Sequence, residues 1–111
     1  MMSLPDQIKT DSVKKIINIA NRIIRNEINV VEGSREIVKL RYNTNAHDDR
    51  IFDPFIAVDS DTDHIPLDEN IRKNFGSDYL KKSDKELREY IKEMKPSIIS
   101  DCHAIIKKFS N

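Results

Sequence analysis

The chain has 111 residues, 19 basic and 19 acidic side chains, and a single cysteine, Cys102. This length fits one domain around one core, and a lone cysteine excludes an internal disulfide. Two glycines and no tryptophan argue against a β-sandwich or barrel, which needs many tight turns. Since no apolar run resembles a signal peptide or a membrane span, we expect a cytoplasmic protein without a membrane partner. Zero net charge argues against nucleic acid as a partner.

Apolar residues at helical spacing predict an all-α bundle of four to five helices in a single domain, residues 1–111. The first stripe, at steps of three and four, predicts a helix over residues 13–28, capped by Thr10 or Asp11. A second helix should run from Asn29 to about Tyr42. Gly33 lies on its apolar face, where we expect it to let another backbone come close.

The central segment is predicted to contain short helices joined by a loop. Asp53 followed by Pro54 is typical of a helix start, with Asp53 as the cap. We expect residues 59–66 to form a loop, since Pro66 disfavours helix at Ile65. Asp68 should then cap a short helix through Asn74. In that helix Ile71 and Phe75 would point inward and Gly76 would mark the end.

The C-terminal segment predicts one long helix. Residues Ser83 to Glu86 read as a capping box, which places the helix start there. An apolar stripe then keeps its phase across Pro96, which favours a single helix of about 25 residues, kinked at the proline. The stripe consists of Leu87, Ile91, Met94, Ile98, Cys102, Ile105 and Phe109. We interpret Cys102 as core, and we expect His47 and His103 to face solvent.

Charge is strongly segregated along the chain. Residues 47–69 carry eight carboxylates and one arginine, a local charge of −7, whereas the flanking segments are basic. The role of helix cap or loop solubiliser suits Asp53, Asp63 and Asp68, but it leaves Asp48, Asp49, Asp59 and Asp61 unexplained. An acidic surface that steers a basic partner would explain why these aspartates are present. We therefore predict a partner-binding face made of Asp48, Asp49, Asp59, Asp61, Asp63 and Glu69.

The sequence is also compatible with two other functions. Asp61, Asp63 and His64 could form a divalent metal site in a small enzyme or a metal-binding regulator, because these side chains are suitable ligands. The alternation of Asp59, Asp61 and Asp63 resembles a calcium loop, but its turn glycine and bidentate glutamate are missing. The other alternative is a structural module that dimerises through its helices.

Nothing in the sequence favours catalysis. The motifs of phosphate loops, nucleophile elbows and HExxH zinc sites are absent. Cys102 and His103 are neighbours on a predicted helix, so their side chains diverge and cannot act as a pair. We therefore expect a non-enzymatic protein with no catalytic residues, no metal and no cofactor.

The run Ser60–Pro66 is the most specific part of a resemblance that spans roughly residues 30–109. It resembles the Ser-Glu-Thr-Asp-x-x-Pro motif of a family of small, all-helical bacterial proteins to which no activity is attached. The chain differs from that pattern at Asp61, where the family has glutamate, at Asp68, where it has glycine, and at Phe75, where it has tryptophan.

In its overall build the chain is also similar to the toxin-immunity proteins of contact-dependent growth inhibition systems. Those proteins are small, free of disulfides and often acidic on one face. This similarity implies that the chain neutralises a basic toxin, such as a nuclease, whose phosphate-binding site attracts acidic side chains. The oligomeric state cannot be read from the sequence.

Overall fold

A computed structural model describes residues 2–110, which form five α-helices and no strand. The helices are α1 (Leu4–Ile24), α2 (Val30–Leu40), α3 (Asp53–Thr62), α4 (Glu69–Arg72) and α5 (Ser77–Phe109). Two short 3₁₀ turns, Arg41–Asn43 and Arg50–Phe52, lie between α2 and α3. The predicted all-α class and the long C-terminal helix are confirmed.

Helix α1 begins at Leu4, well before the predicted start at residue 13. The reason is a local signal: the Ser3 hydroxyl accepts the backbone N–H of Asp6 at 3.4 Å, and Pro5 lies in the first turn. The prediction that Thr10 or Asp11 caps this helix is therefore wrong. The helix ends at Ile24 instead of residue 28, because the chain turns at Asn26, which has a positive φ of 61°.

Helix α2 begins where its sequence predicted and packs closely on α1. The Asn29 side chain accepts the Glu32 N–H at 2.8 Å and so caps the helix. Gly33 is buried against α1, and a Cβ built there would lie 2.5 Å from Cδ1 of Ile23. The atoms nearest to this position thus belong to the Ile23 side chain, whereas close approach of a backbone was predicted.

Helix α3 differs from its prediction at both ends. Asp53 is the first helical residue and makes no capping hydrogen bond; Asp49 instead accepts the Ile51 N–H at 2.9 Å and caps the preceding 3₁₀ turn. The helix also runs through Thr62, so the predicted loop over residues 59–66 is wrong for its first half. Burial of Phe55, Val58 and Thr62 on one side of α3 outweighs the low helix propensity of the aspartates.

The junction between α4 and α5 corrects three predictions. Asp68 caps α4 as expected, accepting the Asn70 N–H at 2.7 Å. Ile71 and Phe75 were predicted to point inward, but they are 53% and 39% exposed. Gly76 is the N-cap of α5 and does not end α4. The capping-box prediction is wrong because no helix-breaking residue separates Ser77 from Ser83, and Ser83 is buried inside the helix.

The core is built by α1, α2, α3 and the C-terminal half of α5. Helix α5 continues through Pro96 without interruption, as its stripe predicted. Ile98, Cys102 and Ile105 are fully buried against the core, and the stripe residues Leu87, Ile91, Met94 and Phe109 pack on its edge. Each large apolar side chain that leaves water contributes roughly 1.5–3 kcal/mol to folding, so this cluster is the main source of stability.

Candidate functional site

The turn that follows α3, residues 62–66, is held by side chains from three helices. Arg35 of α2 donates to the carbonyl oxygen of Thr62 and, at 3.1 Å, to that of Ile65. The Thr62 hydroxyl donates back to the Val58 carbonyl at 2.6 Å, and Ile65 is buried. The last carbonyls of a helix lack partners within the helix, so Arg35 stabilises the end of α3 and fixes the turn.

A second arginine holds the far side of the same turn. Arg72 of α4 donates to the Pro66 carbonyl at 3.2 Å and forms a two-pronged pair with Asp84 of α5, at 2.8 and 3.0 Å. This pairing lowers the pKa of Asp84 from its ordinary value of 3.8 and raises that of Arg72. The Tyr79 hydroxyl donates to the His64 carbonyl at 3.4 Å. The carbonyls of residues 62, 64, 65 and 66 thus all accept from side chains elsewhere in the fold.

Three of the six predicted carboxylates lie at the end of α3. Asp59 is half-buried and lies 3.8 Å from Nε of Arg35, whereas Asp61 and Asp63 are exposed. Helix α3 has no basic residue in its last turn. Negative charge at a helix C-terminus opposes the helix dipole, typically by about 0.3–1 kcal/mol for each charge. Through the helix dipole, these aspartates therefore destabilise α3, so helix stability does not explain them.

Asp48 and Asp49 lie in a different part of the surface. Asp49 pairs with Lys108 near the end of α5, and this contact lowers the pKa of the Asp49 carboxyl. Asp48 is exposed and lies 3.3 Å from the ring of its neighbour His47. His47 and His103 are both exposed, as predicted.

The spread of the carboxylates can be measured along α5. Asp49 contacts Lys108, and Asp61 accepts the hydroxyl of Tyr90 at 3.1 Å. Lys108 and Tyr90 are eighteen residues apart in α5, which corresponds to about 27 Å along a helix axis. The six carboxylates therefore form two groups, Asp48 and Asp49 at one end of α5 and the remaining four toward its other end.

Only two of the six carboxylates have a lysine or arginine partner. Within residues 2–110, Asp49 pairs with Lys108 and Asp59 with Arg35, while no such nitrogen lies within 4.0 Å of the others. The others are Asp48, Asp61, Asp63 and Glu69. Most of this negative charge is therefore left facing solvent.

Helix α5 adds two carboxylates that sequence reasoning missed. Burial, the Asp61 hydrogen bond and the charges of Asp61 and Glu93 together raise the pKa of Tyr90 to about 12. Glu86, one turn earlier, lies 2.8 Å from the His64 ring. Glu86, Tyr90 and Glu93 share one side of α5 by their spacing. That spacing was visible in the sequence, but nothing there indicated that this side faces the end of α3.

A groove of about 430 Å³ runs between α2 and residues 63–71. Its charged walls carry four carboxylates, from Glu32, Glu36, Asp63 and Asp68, and two cations, from Arg35 and Lys39. Arg35 is committed to backbone carbonyls, and Lys39 lies 3.7 Å from Glu36. The groove is therefore acidic, and it adjoins the exposed end of α3.

Two of the three proposed metal ligands have other partners. His64 contacts Glu86 and Asp61 contacts Tyr90. Across residues 2–110, no three His, Cys, Asp or Glu side chains converge on a common point suited to a metal ion. The arrangement of Asp61, Asp63 and His64 does not favour the metal-binding alternative.

The chemistry of Cys102 is suppressed by its surroundings. The side chain is fully buried among core residues, which confirms the structural role predicted for it. Burial, with a smaller effect from the charge of Asp101, raises the pKa of the thiol to about 12. The reactive thiolate is therefore scarce at neutral pH.

Comparison with known proteins adds no family. No family model, no curated protein and no solved structure matches the chain. Among the described residues, no helix is both long enough and apolar enough to cross a membrane. The resemblances drawn from the sequence thus stay predictions, and the geometry of the site carries the functional argument.

Proposed function

We propose that this chain is a non-enzymatic binding protein that takes up a basic partner protein through the acidic end of α3. The contact residues would be Asp59, Asp61, Asp63 and Glu69, extended by Glu86 and Glu93 of α5. Asp48 and Asp49 would contact the partner only if its interface reaches the far end of α5. The particular role we propose is that of an immunity protein that neutralises a basic toxin, such as a nuclease.

One observation supports this proposal most directly: exposed carboxylates without internal cations stand beside a turn that is rigidly held. Arg35 donates through Nη2 to the carbonyls of Thr62 and Ile65, and Arg72 donates to Pro66 and Asp84. Neither arginine pairs with Asp61 or Asp63, whose charges are left unneutralised. Like charges at close range repel, and this repulsion opposes folding. A basic partner would relieve it on binding and would be steered to the site by the same field.

A nuclease-type toxin is the partner whose chemistry matches best. A surface that binds a phosphate backbone presents several lysine and arginine side chains, and a row of carboxylates can occupy the same positions. A rigid turn is also favourable for an inhibitor, since less conformational entropy is lost on binding.

The test uses a charge-reversed variant, Asp61→Lys with Asp63→Lys, and a matched control, Asp11→Lys with Glu27→Lys. All four positions are exposed, and both variants change the net charge equally. A partner would be captured from the native host with the unmodified protein, identified and purified. Its association rate with each variant would then be measured at low and at physiological salt.

We expect the Asp61 and Asp63 variant to associate at least about tenfold more slowly at low salt and to lose most of the salt dependence. The control should behave like the unmodified protein. Equal association rates for the two variants would refute the proposal. For the immunity role, co-expression should protect cells from the captured toxin, and failure of protection would leave only the binding role.

A further inference from the structure

A second surface feature lies beside the acidic groove: an apolar platform formed by Ile71, Phe75 and Tyr79. These side chains are 53%, 39% and 42% exposed. The rings of Phe75 and Tyr79 stack, with centroids 4.9 Å apart and planes inclined by 16°. Ile71 also lines the groove. Solvent-exposed apolar side chains that cluster in this way commonly mark a binding surface.

The platform is held in place by the same contacts that fix the turn. Turn-type backbone hydrogen bonds continue past α4, from Asn74 to Ile71 and from Phe75 to Arg72. Arg72 is anchored on Asp84, and the Tyr79 hydroxyl is anchored on the His64 carbonyl. The aromatic rings are therefore presented by an ordered junction.

Charge on the groove side of the platform, where Ile71 lies, favours a basic occupant, while the exposed Lys73, Lys81 and Lys82 flank Phe75 and Tyr79 in the chain. The adjoining groove carries four carboxylates against two cations, and both of those cations already have partners. A second copy of the chain is a poor occupant, because a two-fold symmetric contact places the same patch on both sides. The acidic rims of the two copies would then face one another.

We propose that the platform is the anchor site for the basic partner, which inserts an aromatic or large aliphatic side chain against Phe75 and Tyr79. Lysine or arginine side chains next to that anchor would enter the groove and meet Asp63 and Asp68. This inference rests on the proposed function and adds the chemistry of the bound segment: a basic stretch that contains an apolar anchor.

The two parts of the surface should contribute differently to binding. Buried aromatic and aliphatic anchors dominate affinity and residence time, whereas charges at the rim act mainly on the association rate. Removal of the platform should therefore speed dissociation and leave the salt dependence of association intact.

The experiment is an amide-resolved NMR titration of the full chain with three synthetic peptides. The first is lysine-rich with a central tryptophan, the second is the same peptide with serine in place of tryptophan, and the third replaces its lysines with glutamates. We expect the first to bind at least about tenfold more tightly than either of the others, an effect within the range of one buried anchor side chain. It should shift the amides of residues 71–79 as well as those of residues 61–68.

A variant pair checks the location. Phe75→Ala should reduce affinity for the tryptophan peptide to that of the serine peptide, whereas Ile8→Ala, which also shortens an exposed apolar side chain, should leave it unchanged. Phe75 is not part of the core, so the variant should fold, and its amide spectrum would test this.

Each other result has a definite meaning. Equal binding of the two lysine-rich peptides, with shifts confined to residues 61–68, would overturn the anchor while the proposed basic partner stands. Binding of the glutamate peptide as tight as that of the first would overturn the charge complementarity of both proposals. Absence of binding by any of the three peptides would overturn the anchor. Amide shifts that change when the free protein is concentrated would also overturn it, and they would identify a second copy of the chain as the occupant.

Discussion

The two halves of α5 are attached to the rest of the protein in different ways. From Pro96 to Phe109 the helix buries Ile98, Cys102 and Ile105 completely. From Ser77 to Lys95 only Ser83 is fully buried. Leu87, Ile91 and Met94 pack against the edge of the core, and polar contacts join this half to Asp61, His64 and the Arg72 side chain. The C-terminal half thus supplies stability, and the N-terminal half supplies a surface, with carboxylates and aromatic rings held by hydrogen bonds.

This difference indicates which part of α5 can carry binding residues with little loss of folding free energy. Apolar packing contributes most of the folding free energy, so a core half tolerates little change. A half whose side chains are mostly exposed or only partly buried tolerates substitution better, and it can retain unfavourable charges for binding. The acidic face and the apolar platform both adjoin this N-terminal half, which contributes Glu86, Glu93 and Tyr79 to them.

The largest expected effect comes from truncating a side chain in the buried half. Ile98→Ala should lower the free energy of unfolding by about 2–5 kcal/mol, because it removes packed methyl groups and leaves a cavity. Leu87→Ala, in the other half, should cost clearly less, since Leu87 is only partly buried. Urea denaturation of both variants measures the difference. Equal losses would mean that the two halves contribute equally to the core.

Much of the buried half could be predicted from the sequence, for a physical reason. Ile98, Cys102, Ile105 and Phe109 recur at helical spacing, and such a regular apolar stripe predicts which face of a helix is buried. The ends of the helices were less predictable: Ser83 reads as a cap, but it lies inside α5, since nothing before it breaks the helix. A capping signal is local, and continued packing overrides it.

The site could be predicted only in part. The excess of carboxylates was visible in the sequence, but their neighbours were not. Arg35 lies 24 residues before Asp59 in the chain and Tyr90 lies 29 residues after Asp61, and no local pattern reports such pairs. The platform was missed because Ile71 and Phe75 were assigned to the core, which their apolar character alone favoured.

A smaller loss of stability is expected when the turn after α3 loses the hydrogen bonds of Arg35. Arg35→Met keeps the length of the side chain but leaves the Thr62 and Ile65 carbonyls without these donors. Loss of partners at part-buried groups should cost about 1–3 kcal/mol. The Ile65 N–H, bonded to the Thr62 carbonyl at 3.0 Å, should exchange with solvent faster, while amides near Ile98 should change only as far as global stability falls. Unchanged exchange at Ile65 would contradict the role given to Arg35.

Tyr90 provides a pH test of the polar half. Its pKa, raised to about 12 by burial and by the hydrogen bond to Asp61, exceeds the ordinary value of 10.0. The unfolded chain therefore loses this proton first, so the stability that depends on neutral Tyr90 is complete below about pH 10 and declines as pH rises toward 12. In Asp61→Asn the pKa of Tyr90 should fall only part of the way to the ordinary value, because burial is the largest cause of the shift. Ultraviolet titration of the phenolate measures this pKa, and Tyr90→Phe assigns the signal. Identical titrations of the unmodified protein and Asp61→Asn would exclude a contact between Asp61 and Tyr90.

The smallest effect is expected at the contact between His64 and Glu86. Both side chains are about half exposed, at 49% and 51%, and exposed pairs of this kind are worth between zero and about 1 kcal/mol. A double-mutant cycle with His64→Ala and Glu86→Ala isolates their coupling from other effects of each change. A coupling energy well above 1 kcal/mol would show that the two groups are desolvated. The N-terminal half of α5 would then be joined to the α3 turn as firmly as its other half is joined to the core, and the contrast between the halves would no longer hold.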